Sequence, residues 1–193
     1  MVAPSSSGDL WGLRVDNGRL LWSDSLLALR RGDQVGNLAD IRARPVIDRG
    51  YVFAISNSGR MVAVDLRTGD RAWEIDVGGV ETPWTAGDFV YVVTADNQLV
   101  CLTRREGRVR WAANLPVYRD PKRRAERILW AGPVLAGDRL VIASSRNEAM
   151  AISPYTGETL GTIKLPGATY IAPIVADRTL YFLTDDATLV AYR

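Results

Sequence analysis

Short apolar runs, separated by pairs of turn-forming residues, recur along the whole chain. Runs such as Tyr51-Val-Phe-Ala-Ile55, Phe89-Val-Tyr-Val-Val93, Leu140-Val-Ile142 and Leu180-Tyr-Phe-Leu183 are rich in β-branched and aromatic residues and too short for helices. They predict strands. A tight turn precedes each run: Asp48-Arg-Gly50, Ala86-Gly-Asp88, Ala136-Gly-Asp138 and Ala176-Asp-Arg178. A polar turn follows: Asn57-Ser-Gly59, Asp96-Asn97, Arg146-Asn147 and Asp185-Asp186. Gly, Asn and Asp tolerate the left-handed backbone that such hairpins require. The near-continuous apolar character, without strict alternation, predicts sheets covered on both faces.

A longer period overlies this one. Ala63-Val-Asp65-Leu-Arg-Thr68-Gly69-Asp-Arg-Ala-Trp73 aligns with Cys101-Leu-Thr103-Arg-Arg-Glu106-Gly107-Arg-Val-Arg-Trp111. It also aligns with Ala151-Ile-Ser153-Pro-Tyr-Thr156-Gly157-Glu-Thr-Leu-Gly161 and with Gly12-Leu-Arg14-Val-Asp-Asn17-Gly18-Arg-Leu-Leu-Trp22. Pro45, Pro83, Pro133 and Pro173 open successive units, 38, 50 and 40 positions apart. A period near 40 residues with four strands per unit is that of a propeller blade.

The predicted fold is all-β, a partial β-propeller of four-stranded antiparallel blades. An incomplete blade is expected over 1–27, full blades over 42–77, 83–114 and 131–165, and a second incomplete blade over 171–193. That count predicts roughly half of a closed ring, with cut edges that tend to associate. Gly18, Gly69, Gly107 and Gly157 are expected to supply the positive φ ahead of each last strand. Trp22, Trp73 and Trp111 are expected to wedge between blades, each indole N–H finding a backbone acceptor.

Charge and composition narrow the chemistry. The 24 basic and 22 acidic residues leave a net charge of +2, and no nucleic-acid partner is expected from so small an excess. The absence of His removes the commonest general base and the commonest neutral metal ligand. A single Cys, Cys101, excludes an intrachain disulfide and a Cys₄ zinc site. It stands at the small position held by Ala63 and Ala151, which predicts a packing role. Asp96-Asn97 and Asp185-Asp186 fall on hairpin tips of different units and cannot bring six to eight oxygens to one calcium ion. No catalytic residue, metal or cofactor is expected. The first residues have neither a basic n-region nor an apolar h-region, so no signal peptide is expected. No apolar run approaches the roughly 20 residues of a membrane span.

Two connections between units are longer than the rest, over about 23–44 and 114–131. Propeller topology puts both on one face, and long connections in compact domains predict a binding surface. In the first, Leu26, Leu27 and Leu29 precede Arg30 and Arg31; a helical turn there serves either partner contact or plain packing. In the second, Asp120-Pro121 predicts an N-cap followed by Pro at the first position of a short helix. Its cations, Arg119, Lys122, Arg123, Arg124 and Arg127, suit an acidic partner or anionic lipid headgroups; the alternative is a solvated loop.

The motif Ala-x-Asp-x-x-Thr-Gly-x-x-x-Trp, complete at Ala63 to Trp73, resembles the tryptophan-docking (PQQ-like) repeat of quinoprotein-like eight-bladed propellers. The order of the units, Gly161 in place of a Trp, and the ending Asp186-Ala-Thr-Leu-Val-Ala-Tyr-Arg193 resemble the C-terminal half of the outer-membrane protein assembly factor BamB family.

The resemblance implies a non-catalytic scaffold of the barrel assembly (BAM) complex on the periplasmic side of the outer membrane. It further implies binding to the periplasmic domains of BamA, access to unfolded outer-membrane proteins, and attachment by a lipid anchor that this chain does not carry. In the family an acidic pair ahead of one blade contacts BamA. Here Asp40 holds the first position and Arg42 the second, reversing one charge. Leu38, Arg30 and Arg31 of the same connection join them as expected contacts. A quinoprotein dehydrogenase fragment is the enzymatic alternative; it implies adjacent cysteines, a catalytic Asp and calcium ligands, none of which stands out here. A periplasmic sensor or receptor propeller is a third reading. Addition of a barrel strand to an outer strand edge is a further mode of binding that the architecture offers.

Overall fold

The computed structural model describes residues 1–27 and 40–193. Among these residues the chain forms strands and no helix. It divides into two compact units, Met1–Val90 with Leu102–Arg108, and Tyr91–Cys101 with Val109–Arg193.

In the first unit β1 (Val2–Pro4), β2 (Asp9–Leu13) and β3 (Leu20–Ser25) make a three-stranded antiparallel sheet. β4 (Val46–Asp48), β5 (Tyr51–Ile55), β6 (Met61–Asp65) and β7 (Arg71–Ile75) make a four-stranded one in chain order. A third sheet, again in chain order, holds β8 (Trp84–Ala86), β9 (Phe89–Val93), β10 (Gln98–Thr103) and β11 (Val109–Asn114), and its residues are divided between the units. The second unit adds a hairpin, β12 (Tyr118–Asp120) and β13 (Ala125–Arg127). It also holds the four-stranded sheet β14 (Trp130–Ala136), β15 (Arg139–Ser144), β16 (Glu148–Ile152) and β17 (Thr159–Lys164). The three-stranded sheet β18 (Ile174–Ala176), β19 (Thr179–Leu183) and β20 (Leu189–Tyr192) follows.

The turns form for local reasons. Arg49 (φ 45°) with Gly50 (φ 82°), and Asp177 (φ 47°) with Arg178 (φ 57°), place both central residues in the left-handed region. Such turns match the right-handed twist of the strands they join. Asn97 (φ 57°) and Asn147 (φ 60°) turn the next hairpins of their sheets. In the last sheet Ala187 (φ 63°) takes this place, where Asp185 or Asp186 was expected. The Asp186 carboxylate is occupied instead, accepting from the Thr184 hydroxyl and, at 3.2 Å, from the Thr188 N–H.

The core of the first unit gathers Leu10, Trp22, Leu26, Ile41, Val52, Ala54, Val62 and Val64. In the second unit Leu99, Leu115, Ile128, Leu140, Ile142 and Ile152 are buried. Cover on both faces holds for β5, β6, β9 and β15, but β18 is exposed along its length and β20 nearly so. These last strands are equally apolar; composition does not by itself supply a neighbour.

The tryptophans explain the repeat. Each indole N–H donates to a carbonyl in a following turn: Trp22 to Leu66 at 2.9 Å, Trp73 to Arg104 at 2.8 Å and Trp111 to Pro154 at 3.0 Å. Strand register sets a small residue opposite two of these rings, Gly12 opposite Trp22 and Ala63 opposite Trp73. The turn glycines have a second duty that the sequence did not disclose. A Cβ on Gly69 would stand 2.6 Å from Trp22, on Gly107 2.7 Å from Trp73, and on Gly157 2.6 Å from Trp111. Gly18 shares the positive φ but has nothing within 4 Å of that point. At Gly161, where the Trp is missing, a hollow of about 270 Å³ is lined by Val141, Ala151, Gly161 and Leu180 among others.

A buried arginine completes the first unit. Arg104 is only 4% exposed, and its guanidinium donates to Asp48 at 2.8 Å and Asp88 at 3.1 Å. The carbonyl of the same residue receives the Trp73 indole. Sequence reasoning passed over Arg104, because a charged residue in a turn reads as solvated.

Candidate partner-contact sites

The described end of the first long connection alternates strictly. Ile41 and Ala43 are buried, whereas Arg42 and Arg44 are exposed and Asp40 is half-buried. Burying every second side chain aims the others outward. The segment is fastened by its backbone. The Asn57 N–H donates to the Asp40 carbonyl at 3.1 Å, Ile41 N–H to Ser5 at 3.4 Å, and Arg44 N–H to the Thr82 hydroxyl at 3.3 Å. Asp40 and Arg42 therefore project from a fixed ledge, 4.0 Å apart at their charged atoms. Arg42 is the more exposed of the two, at 68% of its side chain against 33%. A pair at that distance and exposure is weak, so both groups can exchange each other for a partner at little cost. Leu29, Arg30, Arg31 and Leu38 lie outside the described residues. Leu26 is fully buried in the core and Leu27 is exposed.

The ledge rests on a device repeated in four of the sheets. A hydroxyl residue ends the second strand of the repeat: Ser56, Thr94, Ser144 and Thr184, all buried. Ser56 donates to the Arg60 carbonyl at 3.1 Å and Ser144 to Glu148 at 3.2 Å, while Thr184, whose proton goes to Asp186, accepts from the Thr188 N–H at 3.2 Å. Thr94 accepts from the Gln98 N–H at 3.2 Å. Each hydroxyl ties its turn across four residues, satisfying polar groups that burial would leave unpaired. Recurrence of Ser or Thr at one place in four repeats is the signal in the sequence that points to it. Ser58, in the same turn, donates to the Leu26 carbonyl at 3.2 Å, which anchors the start of the first connection.

The second long connection corrects an expectation. The segment from Asp120 is not a helix but the turn of the β12–β13 hairpin, with Tyr118 opposite Arg127. Asp120 does cap, accepting from the Lys122 N–H at 3.0 Å and the Arg123 N–H at 3.1 Å. The chain then enters the left-handed region at Arg124 (φ 50°) and reverses where a helix would continue. The caps of helices and of Asx turns use the same bonds, so the sequence alone could not separate them. Asn97 donates from its side chain to the carbonyls of Pro116 at 3.3 Å and Ile128 at 3.2 Å, clamping both ends of the hairpin. Trp130 donates to the same Pro116 carbonyl at 2.9 Å. The sequence marks Asn97 only as a turn residue and gives no sign of the role of Trp130.

The cations of the hairpin differ in their engagement. Arg119 donates to the Ser145 carbonyl at 3.3 Å and lies 3.4 Å from Glu126. Arg127 donates to the Ala95 carbonyl at 2.8 Å, and Arg123 sits 3.7 Å from Asp120. Lys122 and Arg124 are exposed.

Cys101 is buried, 1% exposed. Burial pushes its thiol up to about 11 and pushes the Tyr91 phenol, which also feels Cys101, up to about 12. A thiol held protonated is a poor nucleophile. Asp65 and Asp186 are shifted the other way. The N–H groups of Thr68 and Arg67 hold Asp65 below its ordinary value, and hydrogen bonds from Thr184 and Thr188 do the same for Asp186. Both carboxylates are consumed in turn geometry.

Comparison with known proteins agrees with this architecture. The family model for the outer membrane protein assembly factor BamB matches residues 1–113 and 120–193. BamB of Salmonella typhimurium is 24% identical over 191 residues, 98% of this chain and 46% of the relative. BamB of Alkalilimnicola ehrlichii is 25% identical over 194 residues, covering all of this chain and 48% of the relative. The chain thus spans about half the length of the relatives it matches. Among solved structures, BamB from Moraxella catarrhalis superposes with a TM-score of 0.81 at 18% identity, over 100% of this chain and 53% of that one. The computationally designed Ika8 protein superposes with a TM-score of 0.74 at 14% identity, over 99% of this chain and 54% of the design. The fold is a partial β-propeller of four-stranded blades with tryptophan-docking repeats.

Proposed function

The chain belongs to the family of the outer membrane protein assembly factor BamB, and from that premise we propose that it forms part of a non-catalytic scaffold of the outer-membrane β-barrel assembly complex. It works on the periplasmic side of the outer membrane and contacts the periplasmic domains of BamA through the connection that ends at Asp40 and Arg42. The ledge carries this reading: Ile41 and Ala43 are locked inward while Asp40, Arg42 and Arg44 are presented outward on hydrogen-bonded backbone. A contact surface needs charges that are held in place yet free to change partner, and this segment meets both demands. Arg30, Arg31 and Leu38 belong to the same proposed surface, and the β12–β13 hairpin is a second one. A scaffold also accords with the chemistry of Cys101, whose buried, protonated thiol is unsuited to catalysis.

Calorimetric titration with the periplasmic domains of BamA tests the reading. Asp40→Arg is expected to weaken binding about tenfold, or about 1.4 kcal/mol. Binding indifferent to Asp40 would move the contact to another loop. No binding by the wild-type chain would overturn the proposal.

A further inference from the structure

A hollow of about 480 Å³ is lined by Arg119 of the hairpin, by Arg146, Asn147 and Glu148 at the turn between β15 and β16, and by Lys164 and Leu165 at the end of β17. Three of its six lining residues are cations and one is a carboxylate. Arg146 lies 3.4 Å from Glu148, and Arg119 is steadied by Glu126 and by the Ser145 carbonyl. Lys164 has no carboxylate partner among the described residues, although register sets Glu148 opposite it on β16. The rim is more basic still: Lys122 and Arg124 at the hairpin tip also have no ion-pair partner among the described residues.

Hairpin and hollow together hold seven cations against three carboxylates, an excess of four, in a chain whose whole excess is +2. The remainder of the chain is therefore net acidic. Charge has been segregated to this place, and a concave cationic site focuses field and selects for an anionic partner. The shape decides the kind of partner. Its floor is the buried Leu165, and its walls are two guanidinium groups, Arg119 held by its hydrogen bond to the Ser145 carbonyl and Arg146 by its ion pair with Glu148, suited to forked contact with carboxylates. A bilayer surface instead calls for protruding cations flanked by Trp, Phe or Leu, and the tip, Pro121-Lys-Arg-Arg124, has the cations but no Trp, Phe or Leu beside them. The family match leaves residues 114–119 uncovered, so the approach to the hairpin lies outside the shared pattern.

We propose that this hollow is a docking site for an acidic, extended segment of a partner protein, whose carboxylates meet Arg119, Arg146 and Lys164. The proposal rests on reading the hairpin as a contact surface and is independent of the Asp40 ledge.

The test is fluorescence anisotropy of a labelled peptide of alternating glutamate and threonine, titrated with the full chain at low and raised salt. Wild type binds and loses affinity as salt rises. Lys164→Glu is expected to weaken binding about tenfold, and Lys164→Gln by a smaller factor. Arg14→Glu, an equal change of charge at an exposed site elsewhere, is expected to stay within about twofold. Asp40→Arg leaves peptide binding unchanged, which separates this site from the proposed BamA contact. Near-ultraviolet circular dichroism matching wild type confirms the fold of each variant, and Lys164→Gln serves if the reversal does not fold. Equal losses in Lys164→Glu and Arg14→Glu would overturn the proposal. So would binding to phosphatidylglycerol vesicles without binding to the peptide, which would make the surface membrane-facing.

Discussion

Gly18 and Gly107 share one backbone conformation, φ +68° and +66°, but only Gly107 lies beneath a tryptophan ring. Replacing each with alanine separates the two reasons for glycine. In both variants a Cβ enters the left-handed region, at about 1–2 kcal/mol. Gly107→Ala also drives that Cβ to 2.7 Å from the Trp73 ring, and overpacking of this kind costs about 1–3 kcal/mol. The expected totals are about 1–2 kcal/mol for Gly18→Ala and about 2–5 kcal/mol for Gly107→Ala. Urea unfolding with linear extrapolation reads the difference, provided the slope is unchanged. In a chain of this size each kcal/mol also lowers Tm by about 2–4 °C. A cycle with Trp73→Leu isolates the contact, because Gly107→Ala should then cost little more than its backbone share. Equal losses for the two glycines, or no coupling to Trp73, would refute the idea that these turns are glycine because an indole rests on them.

Four other outcomes are expected. Trp73→Phe keeps most of the buried area beside Phe53, 6.0 Å away between ring centroids, but orphans the Arg104 carbonyl; a loss of about 1–3 kcal/mol in urea unfolding checks it. Arg104→Met leaves Asp48 and Asp88 without their shared guanidinium; since Asp88 is largely exposed, the loss is expected at about 1–3 kcal/mol and is read by thermal unfolding. Cys101 is expected to resist iodoacetamide in the native chain and to react in urea. Its folded pKa is raised from 9.0 to about 11, so the folded chain keeps a proton that the unfolded chain loses. Stability from this site is complete below pH 9.0 and falls as pH rises towards about 11; urea titrations across that window in wild type and Cys101→Ala measure it.

The sequence by itself determined the repeat, the strand runs, the Trp and Gly positions and the inert character of Cys101. These follow from local pattern: apolar period, turn chemistry and the size of one residue against its counterpart in the next repeat. Even the missing Trp at Gly161 was legible, though not the hollow it leaves. Tertiary structure decided what depends on who lies next to whom. Asp120 caps a hairpin and not a helix, because Asn97 from an earlier turn and Trp130 just beyond the hairpin hold its ends together. Arg104 is buried because two carboxylates from other turns reach it. Lys164 joins Arg119 and Arg146 only once β17 is paired to β16. Local propensity can name the strands and turns, but a charge becomes buried, paired or free only through neighbours that the fold brings from elsewhere.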